Sequence, residues 1–313
     1  MRWLDECSPG AVADALRVVA PELGGLEVAV RETLPEQDPQ WWAGSAVVGE
    51  RFVVKFAWSE PAALRLAHEI TILAALAQAP GVRFLPEVVV CSTDPMMLVT
   101  ERVSGAALFE VVGSIDRDRA GRQLAGFLAV LHRADTLERV DYLTGGLQPA
   151  LMPPATTRAI RDGIGPWIRP DQVGSVMRWC DWADEVLARP APPVLVHGDL
   201  HGGNQVWKGS ELQVIVDFET VGTADAEYDL RAFPGTGPGV ELLQATSRHY
   251  EQLAGRRLSP ERVMAWHLRT ALGDALWRSE AGVPLPDHRT PTAWVDDLTA
   301  RFDALGIYPA LGR

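Results

Sequence analysis

Two short segments in the second half of the chain carry side chains whose types and spacing could do chemistry. Residues 197–204 read HGDLHGGN and follow a short apolar run, while residues 217–219 read DFE and follow a second apolar run. Asp199, Asn204 and Asp217 would bring two carboxylates and an amide to the ends of neighbouring strands. Such oxygen donors suit Mg²⁺, which binds proteins through one or two carboxylates and bridges to substrate phosphates. The pattern therefore predicts a metal–phosphate site and, with it, phosphoryl transfer.

Aspartate and asparagine also have an ordinary structural role, because they form turns and tolerate left-handed backbone conformations. Each of these residues taken alone could serve a turn in this way. Turn chemistry does not, however, require an aspartate five residues before an asparagine and a second aspartate after the next strand. The ordered set therefore favours the chemical interpretation.

Together the two segments resemble the catalytic signature of the aminoglycoside phosphotransferase family, in which His-Gly-Asp-x-His-x-x-Asn precedes an Asp-Phe-Glu type of triplet. Choline, methylthioribose, fructosamine and some homoserine kinases look similar at this level, so the resemblance names a reaction and leaves the acceptor open. It implies an α+β, two-lobed protein-kinase-like fold. The expected N-terminal lobe, residues 1–103, has a small mixed β-sheet and binds the nucleotide. The expected C-terminal lobe, residues 104–313, is larger, mainly helical, and carries the catalytic and acceptor sites.

A lysine in an apolar strand is the first feature that such an N-terminal lobe requires. Lys55 lies in an apolar run where strand alternation places it on the same face as Val53. The chain has only one other lysine, Lys208. Glu69, in a predicted helix further along the chain, is the expected ion-pair partner of Lys55. The alternatives are a solvent-facing lysine on an edge strand and a pair between Glu69 and Arg65, one helical turn apart.

The resemblance also implies which residues hold the cofactors. The nucleotide would be ATP, with GTP not excluded, and Lys55, held by Glu69, would grip its phosphates. Mg²⁺ would be held by Asn204 and Asp217. The backbone at a hinge between the lobes would bind the purine edge. The remaining expected nucleotide-binding residues are Ser45, Val53, Glu101, Val103 and Val206, with Glu101 and Val103 at the hinge.

On the acceptor side, the resemblance implies that Asp199 accepts or orients the proton of a hydroxyl group. His197, grouped with Asp199 as catalytic, would support the loop. Carboxylates after Asp217 would face a cationic acceptor, although Asp274 could instead pair with Arg278 along its helix. The candidate acceptor-binding residues are His201, Glu219, Glu227 and Asp274.

The charge balance narrows the function further. The net charge is −12, from 29 lysines and arginines against 41 aspartates and glutamates. Nucleic-acid binders need a basic footprint, and anionic membrane surfaces attract basic segments, so both partners are disfavoured. A cationic antibiotic such as an aminoglycoside is the favoured acceptor, in resistance or self-protection. The alternatives are a metabolic kinase of an amino alcohol, amino acid or sugar, and a non-catalytic nucleotide-binding module, which the filled catalytic positions disfavour.

The cysteines indicate the cellular compartment. Cys7, Cys91 and Cys180 are odd in number, far apart and without metal-ligand spacing. Reduced thiols in a cytoplasmic protein are the simplest interpretation. No apolar run reaches the roughly 18 residues of a membrane-spanning helix, and no protein-binding motif is visible.

Apolar periodicity and turn residues predict the elements that would position these side chains. Helices are predicted at 11–20, 62–79, 120–131, 173–187, 240–253, 259–280 and 292–305. Strands are predicted at 26–30, 46–48, 51–57, 87–91 and 96–99, with a strand and hairpin region at 194–218. Residues 145–174 contain several prolines and predict loops or short helices, and the boundary between lobes is expected near residues 101–105.

Overall fold

The computed structural model describes residues 2–31, 43–150, 155–237 and 239–309. The predicted fold class is confirmed, because a small antiparallel sheet occupies the N-terminal part and helices dominate a larger C-terminal part. Within these residues no helix combines the length and apolar character needed to cross a membrane.

In the described residues up to position 101, the N-terminal part consists of one sheet and two helices. Its elements are α1 (Pro9–Val19), β1 (Val28–Val30), β2 (Gly44–Val48), β3 (Phe52–Phe56), α2 (Glu60–Leu76), β4 (Val88–Thr93) and β5 (Met96–Glu101). The strands lie in the order β1-β2-β3-β5-β4, and every neighbouring pair is antiparallel. All the helices and strands predicted here form, with ends that differ from prediction by a few residues.

The hairpin of β2 and β3 places Lys55. Its turn residues, Gly49 and Glu50, both have positive φ angles, +54° and +58°, which match the twist of a tight two-residue hairpin. Alternation along β3 buries Phe52 and Phe56 in the apolar core beneath the sheet. Lys55 therefore lies on the opposite face of the strand.

Helix α2 carries a buried carboxylate. The side chain of Ser59 caps the helix by accepting a hydrogen bond from the backbone N–H of Ala62, and Pro61 occupies its first turn. Leu66 is fully buried on the inner face of α2, and Glu69, on the same helix, is only 2% exposed. Because a buried charge needs a partner, Glu69 must be matched by a cation in the adjoining structure.

The C-terminal part combines helices with two small sheets. Its elements are β6 (Ala106–Ala107), α3 (Leu108–Val111), α4 (Arg117–Leu131), α5 (Ala134–Thr144), α6 (Thr157–Gly163), α7 (Pro170–Ala188), β7 (Val194–Val196), β8 (Gln205–Lys208), β9 (Glu211–Ile215), β10 (Gly222–Ala224), α8 (Glu241–Ala254), α9 (Pro260–Ala281) and α10 (Pro291–Leu305). Strand β7 pairs with β10, and β8 pairs with β6 and β9. Asp199 follows β7 and Asp217 follows β9, so both come directly after short strands.

Helix α5 was not predicted from the sequence. Of its residues only Thr136 and Val140 are buried, so it lacks the wide apolar stripe that marks an amphipathic helix. Gly145, with a φ of +77°, ends it in the left-handed conformation typical of a helix C-terminus. The proline-containing region that follows holds the short helix α6 and a 3₁₀ turn at Gly165–Trp167, as expected.

Candidate active site

A buried carboxylate holds the loop that follows β7. Asp229 accepts hydrogen bonds from the backbone N–H groups of His197 and Gly198, both at 2.9 Å, and lies 3.1 Å from Nε2 of His132. Burial alone would raise the pKa of Asp229. The hydrogen bond and charge of His132 outweigh burial, so the pKa lies below its usual value. Asp229 is thus an ionised group that fixes the loop backbone from within the core.

Gly198 lets this loop turn close to its neighbour. Its φ is +83°, and a Cβ atom at this position would lie 2.4 Å from the backbone oxygen of Thr220. Both the left-handed backbone and the lack of space require glycine here. The close approach brings the loop against the segment after Asp217.

The ring of His197 is part of the scaffold. It is fully buried; its Nδ1 accepts a hydrogen bond from the backbone N–H of Asp199 at 3.2 Å, and its Nε2 donates to the oxygen of Val216 at 3.1 Å. Burial lowers the pKa of His197, which favours this neutral tautomer. Since both nitrogens bind backbone groups, His197 has no atom left for an acceptor molecule.

Asp199 stands at the end of the loop with both carboxylate oxygens engaged. Its Oδ1 lies 3.3 Å from Nη2 of Arg231, and its Oδ2 lies 3.4 Å from Nδ2 of Asn204 and from Nε2 of His201. Burial acts to raise the pKa of Asp199. The hydrogen bond from His201 and the charges of His201 and Arg231 have the larger effect, so the pKa lies below its usual value. Its side chain is 35% exposed. Asp199 is therefore an ionised carboxylate that solvent and small molecules can reach.

Lys55 lies between two carboxylates. Its Nζ is 2.7 Å and 2.9 Å from the two oxygens of Glu69, and 2.7 Å from Oδ1 of Asp217. Burial would lower the pKa of Lys55, but the charges of Asp217 and Glu69 raise it well above its usual value. Lys55 also lowers the pKa of Asp217 against the effect of burial. Lys55 and Asp217 are consequently both charged.

Glu69 also ties helix α2 to the segment after β9. Its Oε1 accepts a hydrogen bond from the backbone N–H of Phe218 at 3.1 Å. The alternative pair between Glu69 and Arg65 does not form, because Arg65 contacts Glu219 instead. His68 adds a third contact, 2.9 Å from its Nε2 to the oxygen of Val221.

Asp217 adopts an uncommon backbone conformation. Its φ of +71° is in the left-handed region, which is uncommon for a residue other than glycine, although aspartate tolerates it better than most. Asn204, on the neighbouring loop, donates from Nδ2 to the backbone oxygen of Asp199 at 2.9 Å. The side-chain oxygen of Asn204 takes no part in that hydrogen bond.

A cavity of about 450 Å³ adjoins these groups. It is bounded by the inner face of the N-terminal sheet, by the connection after β5 and by the start of β8. The structure brings the nucleotide-site candidates and the two metal-site candidates named from the sequence to its wall: Ser45, Val53, Lys55, Glu69, Glu101, Val103 and Val206, with Asn204 and Asp217.

The four acceptor candidates do not form one group. His201 stacks on Phe109, with ring centroids 6.1 Å apart and an interplanar angle of 13°. Glu219 lines the cavity and pairs with Arg65. Burial and the nearby charge of Asp217 raise the pKa of Glu219.

The other two candidates are engaged elsewhere. Glu227 is 4% exposed, and its Oε1 accepts a hydrogen bond from the backbone N–H of Ser259 at the start of α9. A buried carboxylate that supports a helix start is not open to an acceptor, which corrects the sequence expectation for Glu227. Both oxygens of Asp274 lie 3.1 Å from Nε of Arg278, the intrahelical pair named above as the alternative.

Two residues near Asp199 were not singled out from the sequence. Arg231 is 8% exposed, its guanidinium lies 4.2 Å from the ring centre of Tyr228, and its Nη1 donates to the backbone oxygen of Tyr228. Its signal in the sequence is a lone arginine in the apolar stretch that follows Asp229. Phe109 is 52% exposed and packs against His201 in the loop that follows β7, and an exposed phenylalanine gives no sequence signal of its own.

A half-buried lysine held by two carboxylates at a cavity wall, with an ionised aspartate on the adjoining loop, is the arrangement of a kinase-like phosphotransferase. The sequence model of the phosphotransferase enzyme family matches residues 36–266, which is more than two thirds of the chain. The protein therefore belongs to the phosphotransferase enzyme family. No curated protein sequence gives a match.

Solved structures share the fold at low sequence identity. The GDP complex of wild-type aminoglycoside 2'-phosphotransferase-IIIa is 18% identical, with a TM-score of 0.69 over 93% of this chain and 96% of that one. The macrolide 2'-phosphotransferase MphH from Brachybacterium faecium is 18% identical, with a TM-score of 0.59 over 97% and 99%. The streptomycin–ATP–APH(2")-IIa ternary complex is 14% identical, with a TM-score of 0.56 over 89% and 91%.

Proposed function

We propose that this phosphotransferase is a kinase that transfers the terminal phosphoryl group of ATP to a hydroxyl group of a small antibiotic. The observation that carries the proposal is the contact of Lys55 with both Glu69 and Asp217 at the cavity wall, beside the ionised Asp199. ATP would lie between an N-terminal lobe of residues 1–103 and a C-terminal lobe of residues 104–313. The reaction would take place in the cytoplasm, where ATP is abundant, and GTP is the second candidate donor.

The nucleotide would be held along the cavity. Val53 on β3 and Val206 on β8 line it from the two lobes and would pack on the faces of the purine ring. The backbone at Glu101 and Val103 would bind the purine edge. Lys55 would bind the phosphates, while Glu69 keeps the lysine charged and in place. Ser45, directly opposite Lys55 in the sheet register, would contribute on the phosphate side.

Asn204 and Asp217 offer donors that fit Mg²⁺. The side-chain oxygen of Asn204 and the second carboxylate oxygen of Asp217 are hard ligands of the kind that this ion prefers. Glu69 and Glu219 lie close to Asp217, but they contact Lys55 and Arg65 respectively. When bound, the ion would neutralise charge on the phosphates.

Asp199 would act on the acceptor. Its ionised carboxylate would accept a hydrogen bond from the reacting hydroxyl group and orient it toward the terminal phosphate. Asn204 and Arg231 hold the carboxylate from opposite sides, so its orientation is set before the acceptor binds. Positioning and charge neutralisation would supply most of the rate acceleration, because phosphoryl transfer asks for little covalent chemistry from the protein.

A cationic antibiotic of the aminoglycoside type is the acceptor that we propose. The net charge of −12 supports a cationic ligand, and kanamycin and streptomycin are bound by structural neighbours. The exposed ring of Phe109, stacked with His201, offers a surface for an apolar or sugar ring. Contacts from Glu219 or Asp274 would require their arginine pairs to open. The macrolide phosphotransferase neighbours make a macrolide the second candidate.

The test is a coupled assay of ADP or GDP formation with a panel of hydroxyl-bearing acceptors. The panel holds aminoglycosides, macrolides, cyclic peptide antibiotics, amino alcohols, amino acids and free sugars, each with ATP and with GTP. We expect Mg²⁺-dependent turnover with an amine-bearing antibiotic. Turnover confined to amino alcohols, amino acids or sugars would establish a metabolic kinase instead, and nucleotide binding without turnover of any acceptor would establish a binding module.

A further inference from the structure

Arg31 follows β1 and lines the proposed nucleotide cavity with an exposed side chain. Its backbone N–H donates to the oxygen of Ser45 at 2.8 Å. Among the described residues, the Arg31 side chain has neither a carboxylate partner nor a hydrogen bond.

The sheet register places Arg31 in a row with the lysine. Val30 lies opposite Ala46, which brings Arg31 opposite Ser45, and Ser45 lies opposite Lys55. Directly opposed residues of antiparallel strands point to the same face, so Arg31 shares the cavity face of Lys55. With strands about 4.8 Å apart, the two Cα atoms are about 10 Å from each other. A phosphate chain between them is within reach of both side chains.

The charges at the cavity wall explain why a second cation is needed there. Lys55 is already balanced by Glu69 and Asp217. The other cavity-lining arginine, Arg102, donates from Nη1 to the backbone oxygen of Glu50 and lies next to the hinge. A triphosphate brings several negative charges into this space, and a bound Mg²⁺ with Lys55 would offset only part of them.

The sequence between Arg31 and β2 also lacks the glycine-rich loop that commonly binds phosphates. Backbone N–H groups of a glycine-rich loop commonly cradle phosphates. Between Arg31 and Gly44 there is no glycine. A guanidinium group supplies several donors in a planar fork that fits phosphate oxygens, so a single arginine can take over part of this task.

We propose that Arg31 is a nucleotide-binding residue that contacts the phosphate chain from the side of β1, across Ser45 from Lys55. The inference rests on the proposed function, because it needs a nucleoside triphosphate in this cavity. It adds a phosphate contact to the site and requires no change in the chemistry assigned to Asp199.

The experiment is calorimetric titration of the full chain with two series, adenosine to ATP and guanosine to GTP, with Mg²⁺ present. Arg31→Gln is the test variant and Arg31→Lys the conservative one. Arg102→Gln is the matched control, since it removes the same charge from the hinge end of the same cavity. Circular dichroism melting of each variant checks that the fold is retained.

We expect Arg31→Gln to weaken triphosphate binding about fivefold to tenfold, the range for a charge-assisted contact that water partly screens. Nucleoside binding should change less than twofold, and Arg31→Lys should restore part of the loss. Arg102→Gln should shift nucleoside and triphosphate affinity by the same factor.

Unchanged triphosphate affinity in Arg31→Gln, or an equal loss for nucleoside and triphosphate, would overturn the role of Arg31 and leave the proposed kinase function standing. A wild-type chain that binds no nucleotide of either series would overturn both.

Discussion

Glu69 offers the sharpest test of the cluster of charges formed by Lys55, Glu69 and Asp217. Glu69→Gln keeps the size of the side chain and its ability to accept a hydrogen bond from the N–H of Phe218, but it removes the charge beside Lys55. Glu60→Gln is the matched control, because Glu60 lies at the exposed start of the same helix.

The magnitude follows from the geometry. Breaking a buried ion pair costs about 3–5 kcal/mol when the remaining charge is left without a partner. Here Asp217 still contacts Lys55 at 2.7 Å, and the lysine side chain is 22% exposed. We therefore expect a smaller loss in the free energy of unfolding, about 1–2 kcal/mol. ATP affinity should fall about tenfold, because Asp217 would then be the one carboxylate among the described residues that still holds Lys55 near the phosphates.

Urea unfolding with linear extrapolation measures the free energy of unfolding, and calorimetry with ATP and Mg²⁺ measures the ATP affinity. The single variant Lys55→Met and the double variant Lys55→Met with Glu69→Gln complete a thermodynamic cycle. The stability loss of the double variant should be smaller than the sum of the losses of the two single variants. The reasoning is refuted if Glu69→Gln matches Glu60→Gln in both stability and ATP affinity, or if the cycle is additive.

Three further outcomes follow from the site. Arg231→Met should move the acidic limb of the pH–rate profile to higher pH, because the charge of Arg231 helps to lower the pKa of Asp199; an unmoved limb would remove Arg231 from this role. Asp229→Asn should lower the free energy of unfolding at pH 7 by about 2–4 kcal/mol in urea titrations, since two buried N–H groups lose their charged acceptor. The pKa of Asp229 is lowered in the folded protein, so its contribution to the free energy of unfolding is fully present above the unfolded pKa of about 3.9. This contribution is lost as the pH falls from that value through the folded pKa. A difference in the free energy of unfolding between wild type and Asp229→Asn that stays constant down to pH 3 would contradict an ionised Asp229. Raising salt from about 0.1 M to 1 M shortens the Debye length from about 10 Å to about 3 Å and should raise the KM of a cationic acceptor more than that of ATP, whereas a flat acceptor KM would point to a neutral acceptor.

The resemblance of two motifs to a known family, together with the strand pattern around Lys55, sufficed to name residues that line the cavity. Strand alternation placed Lys55 on the cavity face, because a period of two leaves no other choice once Phe52 and Phe56 are buried. Helical periodicity predicted the helix that carries Glu69, and the family resemblance named Glu69 as the partner of Lys55. The periodicity of a strand or helix depends only on residues within that element, so it can be predicted from the sequence alone.

The acceptor end was less predictable because it depends on contacts between distant elements. Glu227 looked like a free carboxylate in the sequence, but the start of α9 lies over it. Arg231 reaches Asp199 across 32 residues of chain, and no periodic pattern encodes that approach. Helix α5 was missed for a related reason, since its few buried positions acquire meaning only from the neighbours against which it packs.

The central claim is that Asp199, Lys55 and Asp217 together transfer a phosphoryl group to a hydroxyl. Its most direct test is ³¹P NMR of the reaction products from the wild type and from Asp199→Asn, with nucleotide affinity measured on both by calorimetry. We expect a phosphate monoester on the acceptor with the wild type, a rate at least about 10²-fold lower with Asp199→Asn, and nearly equal nucleotide affinity for the two proteins. A monoester formed at the wild-type rate by Asp199→Asn, or no monoester with any acceptor although ATP binds, would contradict it.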